Sequence, residues 1–208
     1  MILEKMKTAD PKVHALRCGD GSVYLSPGLQ GRIFCSIGEE LIHKLDFELA
    51  AHPTDSFNNI GGNSLWPAPE GGTFAYNYPH GTWCVQDGIN KVCPILSARS
   101  ESEAVMVKHI TMLNAKGIQV KLEAKREVKT VDISATAAKF NLKAVAYSET
   151  DTFTPGEAYS TEDVVLNAWS LEQFPGADGI IAFGAFDNGS AKPAQVINDD
   201  FYGDPLAR

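Results

Sequence analysis

The chain has 208 residues, is 44% hydrophobic and 21% charged, and carries 26 acidic against 18 basic side chains, for a formal net charge of −8. This balance fits one soluble globular domain with a sizeable core. No run of lysine and arginine forms the clustered basic surface that nucleic acid or an anionic membrane needs, so neither is expected as a partner.

The opening MILEKMKTADPK spreads charge along the stretch and has no apolar centre of the signal-peptide kind. The longest strongly apolar run, 180–186, is too short to cross a bilayer, and a cytoplasmic location is the expectation. Strands are predicted over 13–17, 23–25 and 32–37, separated by turn signals such as Gly19-Asp20-Gly21 and Ser26-Pro27-Gly28. The stretch GGNSLWPAPEGG (61–72) then packs four glycines and two prolines around Trp66 and Glu70. Proline removes donors and glycine loosens the backbone, so this stretch reads as an ordered but irregular loop and not as an interior strand.

Further strands are expected over 73–78, 142–148, 164–171 and 179–186, and a short helix over 132–139. Residues 101–113 hold a helical spacing (Met106, Ile110, Leu113), but the β-branched Val105, Val107, Ile110 and Thr111 favour a strand. The cleanest signal is 117–125, where Ile118, Val120, Leu122 and Ala124 alternate with Gln119, Lys121, Glu123 and Lys125. Many short strands at this spacing predict an all-β fold, an antiparallel β-sandwich or barrel, in a single domain spanning 1–208.

Chemistry is constrained mainly by missing patterns. His14, His43, His52, His80 and His109 form no HxH or HExxH pair, and no metal is expected. There is no GxSxG, GxxxxGK[ST] or GxGxxG, so no cofactor is expected either. Cys18, Cys35, Cys84 and Cys93 lack metal-ligand spacing, and four buried free thiols are expected in preference to a Cys84–Cys93 bridge across a hairpin near Gly88. What remains is a concentration of aromatics, amides and carboxylates: Asn63, Trp66, Glu70, His80, Trp83 and Asp87 fall within a short stretch. Sugars present apolar CH faces beside a fan of hydroxyls, and a site for them combines flat aromatics with directional polar groups. Trp66 and Trp83 read equally well as core plugs. His80, between Pro79 and Gly81, reads as a surface-loop histidine ahead of a catalytic one, and Glu70 holds either loop amides or a ligand.

SPGLQGRIFCSI (26–37) followed by FNNIGGNSLWPAPEGGTFAYNYP (57–79) resembles a family of uncharacterised bacterial proteins of the galactose mutarotase-like supersandwich, the fold of aldose 1-epimerases. The likeness continues more weakly through VVLNAWSLEQF (164–174) and QVINDDFYGDPLAR (195–208), and so covers most of the chain. It implies a carbohydrate ligand, and for a mutarotase a mid-chain histidine as acid with a late glutamate as base. Asn63 and Ser64 depart from it, standing where an acidic residue is expected after the paired glycines. Three functions stay open. One is a carbohydrate-binding protein using Asn63, Trp66, Trp83, Asp87 and Glu70. Another is an aldose 1-epimerase-like isomerase with His80 as proton donor and Glu70 as base. The last is a structural or assembly domain. The closing FYGDPLAR carries no turn or cap, which suggests a domain lacking part of the usual C-terminal region and a homo-oligomer that covers its open side.

Overall fold

Strands form where one face of the chain is buried and the other is wet, and the computed structural model, which describes residues 1–185, is built mainly from them. In chain order the elements are α1 (Ile2–Ala9), β1 (His14–Cys18), β2 (Gly21–Ser26), β3 (Arg32–Ile37), β4 (Glu40–Leu41), α2 (Phe47–Ala51), β5 (Gly62–Ala68) and α3 (Asp87–Asn90). There follow β6 (Ile95–Ala98), β7 (Glu103–Leu113), β8 (Gln119–Thr130), α4 (Ser134–Lys139), β9 (Tyr147–Pro155) and β10 (Asn167–Gln173).

All strand pairs are antiparallel and fall into two sheets, one ordered β1-β2-β3-β5-β10 with β4 beside β3, the other β6-β7-β8-β9. The sheets pack face to face: Leu16, Val23, Leu25 and Ile33 of the first meet Ala104, Met106 and Val128 of the second in one buried cluster. Burying that apolar area is the main force holding the layers together. Met6 of α1, with Leu49 and Ala50 of α2, packs on Tyr24 and Phe34 in a separate cluster against the first sheet. The architecture is an all-β sandwich, as expected. No helix among the described residues is long and apolar enough to cross a membrane.

Several boundaries move for physical reasons. The stretch 61–72 contains a strand after all, because β5 pairs with β10 along its whole length. It meets β3 only at Ile33–Asn63, so beyond Asn63 one edge of β5 is unpaired and Pro67 is tolerated there. Gly62 has φ +71, and a Cβ on it would sit 2.6 Å from the Phe34 ring, so only glycine fits. Residues 73–78 form turns, with the Ala75 amide donating to the Gly72 carbonyl at 3.1 Å. β8 runs five residues beyond the predicted end at 125, because Arg126 occupies an inward position that breaks the apolar alternation. β9 starts at Tyr147, later than the segment 142–148 suggests. The pair Cys84 and Cys93 flanks helix α3 in place of a hairpin; both are exposed, Cys18 and Cys35 are buried, and all four are free.

Residues Met1–Pro175 form one compact unit holding every strand and helix above, and Gly176–Arg208 form a second. The described part of the second unit has a turn at 178–179 in place of the strand expected from 179, with Gly179 at φ 82. Position 186 and the segments QVINDDFYGDPLAR and FYGDPLAR lie outside the described residues.

Trp66 is 4% exposed, faces its cross-strand neighbour Trp169 at 6.2 Å and Phe57 at 5.5 Å, and donates from Nε1 to Ser64 Oγ at 2.9 Å. Trp66→Ala should cost about 3–5 kcal/mol in urea unfolding, as expected for emptying a buried aromatic site. A loss below about 1 kcal/mol would place the ring outside the cooperative core.

Candidate functional site

β9 and β10 are edge strands of opposite sheets, and period-two geometry turns alternate side chains of each into the gap between them. β9 contributes Tyr147, Glu149 and Asp151, and β10 contributes Ala168, Ser170 and Glu172. Asn63 of β5 and Cys35 of β3 reach the same space from the first sheet, His43 follows β4, and Phe174 closes one end just past β10. Together they line an open cleft of about 700 Å³, within the range of small-molecule sites.

Behind the carboxylates lies Arg126, 4% exposed, whose cross-strand partner on β9 is Asp151. Its Nε donates to Asp151 Oδ1 at 2.9 Å, and Nη2 donates to Glu149 Oε1 and to Asn63 Oδ1. Its Nη1 donates to the carbonyls of Gly31, in the turn before β3, at 3.0 Å and of Asn63, in β5 of the other sheet, at 3.1 Å. The Asn63 amide joins the two walls. Its Nδ2 donates to Glu149 Oε2 at 2.7 Å and Glu172 Oε1 at 3.0 Å, and its Oδ1 accepts from Ser170 Oγ at 3.0 Å. Tyr147 donates to the same Glu172 oxygen at 2.6 Å.

This packing sets the protonation states. Burial lowers the readiness of Arg126 to hold its charge, but Asp151 and Glu149 more than compensate, and its pKa is raised. Burial works against ionised Glu149, yet hydrogen bonding to Asp151 and the charge of Arg126 keep its pKa below the usual carboxylate value. Burial first, then the neighbouring Glu149, push Asp151 up to about 7 against the pull of Arg126. The two carboxyls therefore titrate as a coupled pair, with Asp151 raised and Glu149 lowered. Burial, then the hydrogen bond to Glu172, raise Tyr147. Burial, then Glu172, push the Cys35 thiol up to about 12, which leaves it without nucleophilic thiolate.

His43 is 3% exposed and stacks on Phe174 at 4.7 Å. Its Nδ1 accepts the Cys35 backbone N–H at 2.9 Å. Burial lowers its pKa, so the ring is neutral with its proton on Nε2. That Nε2 is buried and has no hydrogen-bond partner among the described residues.

Of the residues singled out from the sequence, only Asn63 lines this cleft. Trp66 is part of a core that also includes Ile89 of α3 and Ile110 of β7. Glu70 is partly buried just after β5, and His80 is exposed in a turn. Trp83 is 43% exposed with its ring edge-on to Phe57 at 6.0 Å. Asp87 opens α3, exposed and paired with Lys91 at 3.1 Å. The structure does not gather Glu70, His80, Trp83 and Asp87 into the cleft. Sequence reading missed Arg126, Glu149, Asp151, Glu172 and His43; the usable signal was a charged residue at an inward position of β8. Among the described residues, no three histidine, cysteine or acidic groups converge as metal ligands.

The model of a family described as "Family of unknown function (DUF6786)" matches residues 3–206. No curated protein and no solved structure matches the chain.

In the folded chain Asp151 keeps its proton to about pH 7, whereas an unfolded aspartate releases it near about 3.9. The stability this group contributes is complete below the unfolded value and is lost as pH rises through the folded one. Urea midpoints of the native chain, taken relative to Asp151→Asn, should therefore fall between about pH 4 and about pH 7 and level off above that. A difference that stays constant across that range would mean Asp151 ionises like an exposed aspartate.

Proposed function

As the chain belongs to the DUF6786 family, whose function is unknown, we propose that it binds a carbohydrate, a monosaccharide or short oligosaccharide, in the β9–β10 cleft. The observation that carries this reading is the fixed array of Asn63, Glu149, Ser170 and Glu172 in one open hollow. Carboxylates and amides held in place by their own hydrogen bonds accept vicinal hydroxyls without first being ordered, which lowers the cost of binding. Phe174, stacked on His43 and 45% exposed, supplies the flat apolar face on which a sugar ring packs. The proposed contacts thus move from the 61–87 segment to the cleft, with Asn63 common to both.

A second reading is sugar isomerisation of the aldose 1-epimerase type, favoured by the neighbouring carboxyls Asp151 and Glu149, whose pKa values shift in opposite directions. Exchange of anomers needs one group to give a proton to the ring oxygen and another to take one from the anomeric hydroxyl. A carboxyl pair whose environments separate their pKa values has that division of labour. The sequence resemblance to galactose mutarotase-like chains supports this reading and an extension of the sandwich to that fold.

A saturation-transfer NMR screen of monosaccharides, run alongside anomer exchange, separates binding from catalysis. Glu172→Ala should weaken the best hit by about 1–3 kcal/mol, the worth of a charged hydrogen bond, while Glu70→Gln leaves it unchanged. The reverse pattern would place the ligand on the 61–72 segment.

A further inference from the structure

We propose that the cleft is a trough for a linear oligosaccharide of about three rings laid along the strands, and not a pocket for one ring. This rests on the carbohydrate reading above and names the form of the ligand.

The two walls run in opposite directions and meet rung by rung. Tyr147 of β9 donates from its hydroxyl to Glu172 Oε1 of β10 at 2.6 Å. One rung along, Ser170 Oγ of β10 donates to Glu149 Oε1 of β9 at 3.1 Å. Asn63, 1% exposed, ties both rungs from the buried side, at 2.7 Å to Glu149 and 3.0 Å to Glu172. These bonds bridge the gap across its middle. A sugar ring therefore has no room to pass between the walls and lies instead on a floor made of the rungs.

The floor continues in both directions. Two residues past Glu172, Phe174 stands at one end near Val145, and two residues before Ser170, Ala168 stands at the other with Asp151. From Ala168 to Phe174 the chain advances six residues, about 20 Å when extended. A pyranose ring covers roughly the length of two strand residues, about 7 Å. One ring thus occupies one rung and leaves most of the hollow of about 700 Å³ unfilled.

The lining repeats as a repeating ligand requires. Each middle rung pairs a carboxylate with a hydroxyl, and the oxygens keep lone pairs for ligand hydroxyls. Phe174, 45% exposed, offers a stacking face beyond the last rung. A ring seated on Glu149 and Ser170 lies about 13 Å of extended chain from Phe174. Only a ligand of more than one ring makes both contacts.

Calorimetric titration of the full chain with glucose, xylose, mannose and N-acetylglucosamine, each beside its β-1,4-linked di-, tri- and tetramer, tests this directly. In the series that binds, affinity should rise at least about tenfold between one ring and three, the least that one further charged hydrogen bond supplies. Phe174→Ala, a change at an exposed side chain, should bring the trisaccharide down to the affinity of the disaccharide. Equal affinity for one ring and for three overturns the trough and leaves the carbohydrate reading standing. A rise with length that Phe174→Ala leaves untouched also overturns it, because the chain then lies elsewhere. Binding of no sugar of any length overturns the carbohydrate reading and this inference with it.

Discussion

A single buried guanidinium, that of Arg126, ties the two sheets together at their open edge. From β8 it holds Asp151 and Glu149 on the neighbouring strand, and across the sandwich it holds the carbonyls of Gly31 and Asn63. Removing a charge from water costs several kcal/mol, and such a residue is tolerated only when every donor finds a partner. Here the donors are satisfied by two carboxylates, one amide and two carbonyls. The cost of losing the cation would be large, because two largely buried carboxyls would remain with nothing to balance them. The inner faces of β9 and β10 are consequently polar where the rest of the interior is apolar, and the sandwich opens there into a cleft.

Two further buried cations stand behind it. Arg32 donates to the carbonyls of Gly61 and Asn58 and to Gln30 Oε1, and burial, then Arg126, lower it to about 10. Lys108 donates to the carbonyls of Gln30 and Val92 and is lowered by burial, then by Arg126, to about 8. These side chains grip the turn at Gln30–Gly31 and the chain entering β5, which are also the segments that present acceptors to Arg126. The cleft thus rests on a framework of hydrogen-bonded backbone, and Asn63 and Glu149 are held by their own hydrogen bonds. Preorganisation of this kind favours recognition of a ligand with many small polar groups.

The sandwich was legible in the sequence because its strongest strands follow plain alternation. Val120, Leu122 and Ala124 announce β8, and the β-branched run through Val105 and Val107 announces β7. Alternation fails at the site itself. Tyr147, Glu149 and Asp151 face inward on β9, but the opposite face, with Ser148, Thr150 and Thr152, is also polar, so no period of two shows. Arg126 ends the apolar pattern of β8 at the position that matters most. The stretch 61–72 differs in the opposite direction: its prolines and glycines suggested an irregular loop, whereas residues 62–68 form a strand with one free edge and a close approach to Phe34. Trp66 drew attention as an aromatic and proved to be core. Of the residues singled out from the sequence, Asn63 is the one that lines the cleft, an amide between paired glycines and an apolar run.

The central claim is that the functional surface is the β9–β10 cleft and not the 61–87 segment. It is tested most directly by amide chemical-shift mapping of the isotope-labelled chain saturated with its best-binding sugar. The account predicts that the largest shifts cluster at Tyr147–Asp151, at Ser170–Phe174, and at His43 and Asn63. Shifts centred instead on Glu70, His80 and Trp83, with the β9 and β10 amides unmoved, would contradict it.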